Sequence, residues 1–256
     1  MKLYGFGATR SLRALWALNE LEIDFEFITV NIMAGETQKP DFLRLNPAGK
    51  LPVLVDGDLV LTESAAIVLY LVEKYPEKKL LPSGLKERAE AYRWIMFAMT
   101  ELEQPLWRIT KHMFLYEEEK RLPQDVALAR EEFAAMAKVL DRHMEGRAFI
   151  VGGRFTAVDC VTAYLMDWAS ELDLLDGQPN LRAYLERMYK WLKRVGMEAI
   201  QAAIVDDPGK RRHYFDRFVF SQQFSQRDPW ADRATGGVAR HEFEPMAAIG
   251  FQRAAE

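Results

Sequence analysis

Few folds accommodate the stretch from Leu51 to Leu61. Two apolar runs, Leu51-Pro52-Val53-Leu54-Val55 and Leu59-Val60-Leu61, flank Asp56-Gly57-Asp58, which is a strong β-hairpin pattern. Proline cannot donate to a sheet ladder, so Pro52 must stand at the head of its strand, with a cis bond expected before it. A strand that begins on proline leaves the backbone just ahead of it unpaired by its own sheet.

The surroundings of the hairpin set the fold class. Lys2 to Phe6 reads as a strand, and from Ser11 the residues Leu12, Leu15, Leu18 and Leu21 recur at helical spacing. Phe25 to Val30 reads as a second strand. A short helix over Gln38 to Leu45 is stopped by the turn formers Asn46-Pro47-Ala48-Gly49. After the hairpin, Glu63-Ser64 opens an apolar helical run from Ala65 to Tyr75, closed by Pro76. Strand, helix, strand, short helix, hairpin, helix is the order of an α/β thioredoxin-like domain. Residues 77–86 read as a polar linker, and beyond it the pattern is helices only, over about 87–116, 123–145, 157–172 and 179–201. Thr156-Ala157-Val158-Asp159 precedes an apolar run as a capping box with Asp in the place of Glu. The expected organisation is therefore a thioredoxin-like unit at 1–80, an all-helical bundle at 87–205 and a C-terminal extension at 206–256. That extension is rich in Arg, Asp, Gln and Gly, with Phe215, Phe218, Phe220, Phe224 and Trp230 scattered through it.

Composition narrows the function classes. A chain of 256 residues, 49% hydrophobic and 28% charged, can bury a real core. Its net charge of −4 gives no electrostatic footprint for nucleic acid or an anionic membrane, so a small-molecule partner is expected. The opening Met1 to Gly7 is too short an apolar stretch for a signal peptide, and no run approaches the ~20 apolar residues of a membrane span, so a cytoplasmic location is expected. The single cysteine, Cys160, excludes an internal disulfide and any two-thiol motif. It falls on a helix that reads as buried and is read as core. His112, His143, His213 and His241 show no metal-ligand spacing, and no metal is expected.

Four segments in this order resemble the cytosolic glutathione transferase family, in its bacterial form with Thr or Ser in the catalytic loop. They are Ser11 to Trp16, Asn46 to Leu54, Leu61 to Ile67, and Phe155 to Asp159. The resemblance covers about residues 1–200 and implies an enzyme that binds glutathione and a small electrophilic second substrate, usually as a homodimer. It also implies that Arg10, Gln38, Lys50, Leu51, Pro52, Glu63 and Ser64 hold glutathione. Relatives of this type with a serine loop place the hydroxyl at Thr9, whereas others place cysteine at Arg10 and serine at Ser11. No cysteine stands at either position here, and Thr replaces Ser.

The residues suit that ligand chemically. Glutathione has two carboxylates, an ammonium, an extended peptide centre and a thiol. The backbone of Leu51 can pair with the peptide as an added strand segment. Ser64, at a helix start, can be a simple cap or can hold the γ-glutamyl carboxylate. Glu63 would take the ammonium; Lys50, otherwise a solvated loop lysine, would meet the glycine carboxylate, with Gln38 second to it. A free thiol of pKa ~8.5 is only a few per cent ionised at neutral pH. Lowering it by about two units requires roughly 2.7 kcal/mol of thiolate stabilisation. A hydroxyl donor at a helix N-terminus can supply that, and both Thr9 and Ser11 qualify, the one not used being expected to cap the helix. Tyr4 is disfavoured by its place within the first strand. The electrophile's pocket is expected between the two domains, near Trp107, Met113, Phe114 and Tyr116, with Arg108 or Lys111 able to select an anionic substrate if either points inward. Glutathione-dependent reduction of a disulfide or peroxide, and a non-catalytic interaction role, are the competing readings.

Overall fold

The structure is a computed structural model that describes residues 1–194 apart from Ala8 and Met33. The extension expected at 206–256, the end of the helix expected to 201, and His213 and His241 lie outside the described residues. Strands β1 (Lys2–Gly5), β2 (Glu26–Thr29), β3 (Val53–Asp56) and β4 (Leu59–Thr62) form one mixed sheet in the order β2-β1-β3-β4, with β1 and β2 parallel and the other pairs antiparallel. Helix α1 (Ser11–Leu21) crosses from β1 to β2, α2 (Pro40–Leu45) precedes β3, and α3 (Ser64–Lys74) follows β4. The expected thioredoxin-like arrangement is thus present, and the Leu51-Pro52 bond is cis.

The two faces of the sheet are covered unequally. Leu3 and Leu54 point to the side covered by α1 and α3, where Ala14, Leu18, Leu21, Ile67, Val68 and Leu71 are fully buried. Val30, Phe42 and Val53 form a smaller core under α2, with Tyr4 and Leu51 against it. That packing keeps Tyr4 on the far side of the sheet from α1, in line with its place inside the strand.

The helical part comprises α4 (Leu85–Phe97), α5 (Glu103–Thr110), α6 (Pro123–His143), α7 (Ala157–Glu171) and α8 (Pro179–Arg194). The run read as one helix over 87–116 is continuous from Leu85 to Leu115 but not uniform. Two π-helical turns, Ala98–Leu102 and Lys111–Leu115, interrupt it. Pro105 gives the first of them a physical reason. A proline ring clashes with the carbonyl four residues back, here that of Glu101, and a wider turn at that point relieves the clash. Helix α7 is the buried spine, and Cys160 lies within it, fully buried, its thiol pushed well up by burial. That environment makes Cys160 inert core, as expected.

Asp159 anchors the start of α7. The capping box forms, with Asp159 accepting from the Thr156 amide at 2.8 Å and the Thr156 hydroxyl at 3.0 Å. Asp159 also accepts from the Ile150 amide at 3.2 Å and the Tyr184 hydroxyl at 3.0 Å, which ties α8 to the same carboxylate. Burial pushes the Asp159 carboxyl up to about 6, against the pull of these donors. It therefore binds protons more tightly folded than unfolded. Its contribution to stability is complete below about pH 4 and falls away as pH rises through about 6. Asp159→Asn turns one acceptor into a donor facing donors, and we expect a loss of about 2–4 kcal/mol. Urea midpoints measured from pH 4 to 7 should show the Asp159 slope in the parent and not in the variant; identical slopes would remove the carboxyl from this role. His143, lowered by burial, works in the opposite sense but is common to both proteins.

Candidate active site

The sheet register brings the motifs together. Tyr4 pairs with Val53, and Val53 pairs with Thr62. The turn after β1, the cis-proline before β3 and the Glu63-Ser64 pair after β4 therefore emerge at one end of the sheet. Ladder pairing with β1 begins at Val53, so Leu51 lies outside it.

At the turn, the hydroxyls of Thr9 and Ser11 are 2.7 Å apart. Thr9 donates to the Phe6 carbonyl at 2.7 Å, and a hydroxyl has one proton, so the proton between the two comes from Ser11. Ser11 also accepts from the Phe6 amide at 3.4 Å and is buried, whereas Thr9 is half-buried. The expectation that the second hydroxyl caps α1 is not met. The cap position falls on Arg10, whose side chain makes no cap bond, while Thr9 accepts from the Ser11 amide at 3.3 Å. Both hydroxyls are used to close the turn back onto Phe6.

The proline loop is held from within. Asn46 donates to the Lys50 carbonyl at 2.7 Å and accepts from the Ala48 amide at 3.0 Å. Gly49 has φ +61°, and a side chain there would come within 2.5 Å of the Gln38 amide nitrogen. The left-handed φ favours glycine at this position, and the exposed Gln38 side chain lies against the loop there. The Lys50 side chain is exposed.

Glu63 sits at φ +66°, ψ 111°, an unfavourable backbone conformation for a residue with a side chain, directly before α3. Its side chain makes no cap bond and is exposed, and Ser64 is buried. The Ser64 hydroxyl oxygen accepts from Arg13 Nη1 at 3.1 Å.

Sequence reasoning missed Arg13 and Glu103. Arg13 is completely buried on α1 and donates through Nη2 to Glu103 at 2.8 Å. Its guanidinium lies 4.7 Å from the Tyr164 ring centroid, and its Nε has no hydrogen-bond partner among the described residues. Glu103, also buried, takes a second bond from Arg10 Nε. Burial pulls Arg13 down and pushes Glu103 up, but the guanidiniums of Arg13 and Arg10 outweigh burial and hold Glu103 below its usual range. A charged residue amid Leu12, Ala14 and Trp16 was the available signal for Arg13.

The Arg10 side chain reaches the helical part, where it meets Glu103, Trp107 and Trp168. Its guanidinium lies 4.9 Å from the Trp107 ring and 5.5 Å from the Trp168 ring. Arg108 does not point inward: it pairs with Asp125 at 2.5 Å and with Glu132, both on α6. Lys111 lies over Tyr116, and His112 is 3.2 Å from Asp125. Met113 and Phe114 are exposed. Among the described residues no cluster of His, Cys, Asp and Glu could hold a metal ion, and no helix is long and apolar enough to cross a membrane.

Comparison with known proteins gives this arrangement its family. Residues 1–73 match the model of the glutathione S-transferase N-terminal domain, and residues 105–190 match that of the C-terminal domain. A zeta-class glutathione S-transferase of Euphorbia esula is 36% identical over 171 residues, covering 65% of this chain and 71% of that protein. A glutathione S-transferase of Xanthomonas campestris is 32% identical over 193 residues, covering 73% of this chain and 92% of that protein. This chain belongs to the glutathione S-transferase family. Among solved structures, a glutathione S-transferase from Xylella fastidiosa superposes with a TM-score of 0.66 at 26% identity, covering 76% of this chain and 98% of that one. A glutathione transferase from Phanerochaete chrysosporium, solved with oxidized glutathione, gives a TM-score of 0.66 at 26% identity over 77% and 93%. As a glutathione S-transferase, the chain keeps both halves of the architecture.

Proposed function

We propose that the end of the sheet binds glutathione and that Thr9 stabilises its thiol as thiolate for attack on an electrophile at the seam between the domains. The observation that carries this reading is the shared register of Tyr4, Val53 and Thr62, which gathers the Thr9 turn, cis-Pro52 and Ser64 at one end of the sheet. In this reading Leu51 pairs with the cysteinyl peptide, Lys50 and Gln38 meet the glycine carboxylate, and Glu63 takes the ammonium. Ser64 and the first amides of α3 hold the γ-glutamyl carboxylate. Because the Ser64 oxygen accepts from Arg13, its own proton is directed elsewhere and is available to that carboxylate. A solved relative that holds oxidized glutathione supports the ligand. We place the protein with bacterial members of the Thr/Ser-loop type, cytoplasmic and dimeric.

Thr9 is chosen over Ser11 on exposure. Ser11 is 1% exposed and hydrogen-bonded to Phe6 and Thr9, so its part is to donate to Thr9. Thr9 needs only to turn its proton from the Phe6 carbonyl to the sulfur. The positive end of α1 lies beside it.

Retention on glutathione-agarose tests the reading; free passage of the protein would leave the non-catalytic interaction role. Ser64→Ala is expected to weaken glutathione binding about tenfold, read by calorimetry, and an unchanged Kd would remove Ser64 from the site. A threonine loop also suits glutathione-dependent disulfide or peroxide reduction. Faster turnover of hydroxyethyl disulfide than of a chloronitrobenzene would favour that second reading.

A further inference from the structure

Arg10, Arg13 and Glu103 form a cluster of two guanidiniums on one carboxylate. Arg13 and Glu103 neutralise each other in the dry interior, with side-chain exposures of 0% and 3%. Arg10 is different, with its side chain 30% exposed. Among the described residues its Nε–H is the one donor with a partner, which leaves the Nη1/Nη2 fork without one. That fork is the part of arginine whose geometry matches a carboxylate in two parallel hydrogen bonds.

The fork is also fixed in place. Trp107 and Trp168 lie within 4.9 and 5.5 Å of the guanidinium, and Trp168 is itself held by donating to the Thr110 hydroxyl at 3.0 Å. The other cations near the seam are committed, Arg108 to Asp125 and Glu132, and Lys111 over Tyr116. Tyr164, behind the cluster, is pushed up to about 12 by burial and carries no charge at neutral pH. Arg10 directly follows Thr9 in the chain, and half-buried Trp107 offers a flat apolar surface beside it.

We propose that Arg10 is a specificity-determining residue for the second substrate, and that this substrate is a planar electrophile bearing a carboxylate. The assignment rests on the glutathione reading above. The carboxylate pairs with the fork, the planar body lies against Trp107, and the electrophilic carbon faces the sulfur beside Thr9. For an aryl chloride, the sulfur–carbon bond forms, chloride leaves with the bonding pair, and the thiol proton goes to solvent.

The probe pair is 4-chloro-3-nitrobenzoate and its methyl ester, each rate divided by its uncatalysed rate with glutathione at the same pH. The parent is expected to favour the acid in normalised kcat/KM by about tenfold or more, the worth of a charge-assisted pair. Arg10→Gln should collapse that ratio to near one, with Arg10→Lys between them because it keeps the charge without the fork. A parent that favours the ester, or a ratio unmoved by Arg10→Gln, overturns the proposal. The glutathione conjugates of both compounds supply a readout without turnover: by calorimetry the acid conjugate should bind about tenfold tighter than the ester conjugate in the parent. Equal affinities with glutathione still bound overturn the proposal alone. Failure to bind glutathione and both conjugates overturns it together with the reading beneath it.

Discussion

Thr9→Ala is expected to slow conjugation of a chloronitrobenzene about tenfold or more at neutral pH while glutathione binds nearly as before. A hydroxyl bond to an anion contributes about 1.5–3 kcal/mol, and each 1.4 kcal/mol is a factor of ten in rate. Without the donor the thiol pKa returns towards ~8.5, so the loss should shrink as pH is raised and the thiol ionises unaided. Thr9→Ser keeps both the proton and the bond to Phe6 and should remain close to the parent. If Thr9→Ala is as active as the parent across the pH range, the role passes to Ser11. That outcome would also require the buried Ser11 hydroxyl to become accessible.

Glu103→Ala is expected to be the most destabilising change in the molecule's centre, at about 3–5 kcal/mol, because it strands a buried guanidinium. For a chain of this size that corresponds to roughly 10 °C in thermal midpoint. Arg13→Met should cost less. In that variant Glu103 keeps Arg10 as partner, and an apolar side chain fills the space beside Tyr164. The order of the two midpoints is therefore diagnostic. Should Arg13→Met melt lower than Glu103→Ala, the carboxylate is not what holds this cluster together.

Much of the fold was legible because its signals are local. Asp56-Gly57-Asp58 between apolar runs specified the hairpin, Pro52 specified the head of its strand, and Thr156 with Asp159 specified the start of α7. These depend on residues within a few positions of one another. The pairing of Arg13 with Glu103 spans 90 residues and two helices, and no periodicity encodes which buried charge meets which. The direction of Arg10 escaped for the same reason, since its partners Glu103, Trp107 and Trp168 all belong to the other domain. Arg108 was legible as a charge near the seam but not as one facing α6, where Asp125 and Glu132 await it. The interruptions in the long helix were hidden because π and α turns carry nearly the same apolar spacing over five residues.

The π-helical turn at Ala98–Leu102 has a consequence for how this sequence can drift. It holds about one residue more than an α-helical path would use, and each residue of an α-helix turns the chain by ~100°. Deleting a single residue there would return the turn to an α-helical path and leave Glu103 and Trp107 in their present phase, facing the same arginines. Gaps of one residue at this point in otherwise alignable relatives are therefore compatible with the same wiring between the two halves, whereas a deletion between Glu103 and Trp107, in regular α-helix, would turn Trp107 by ~100° away from Arg10.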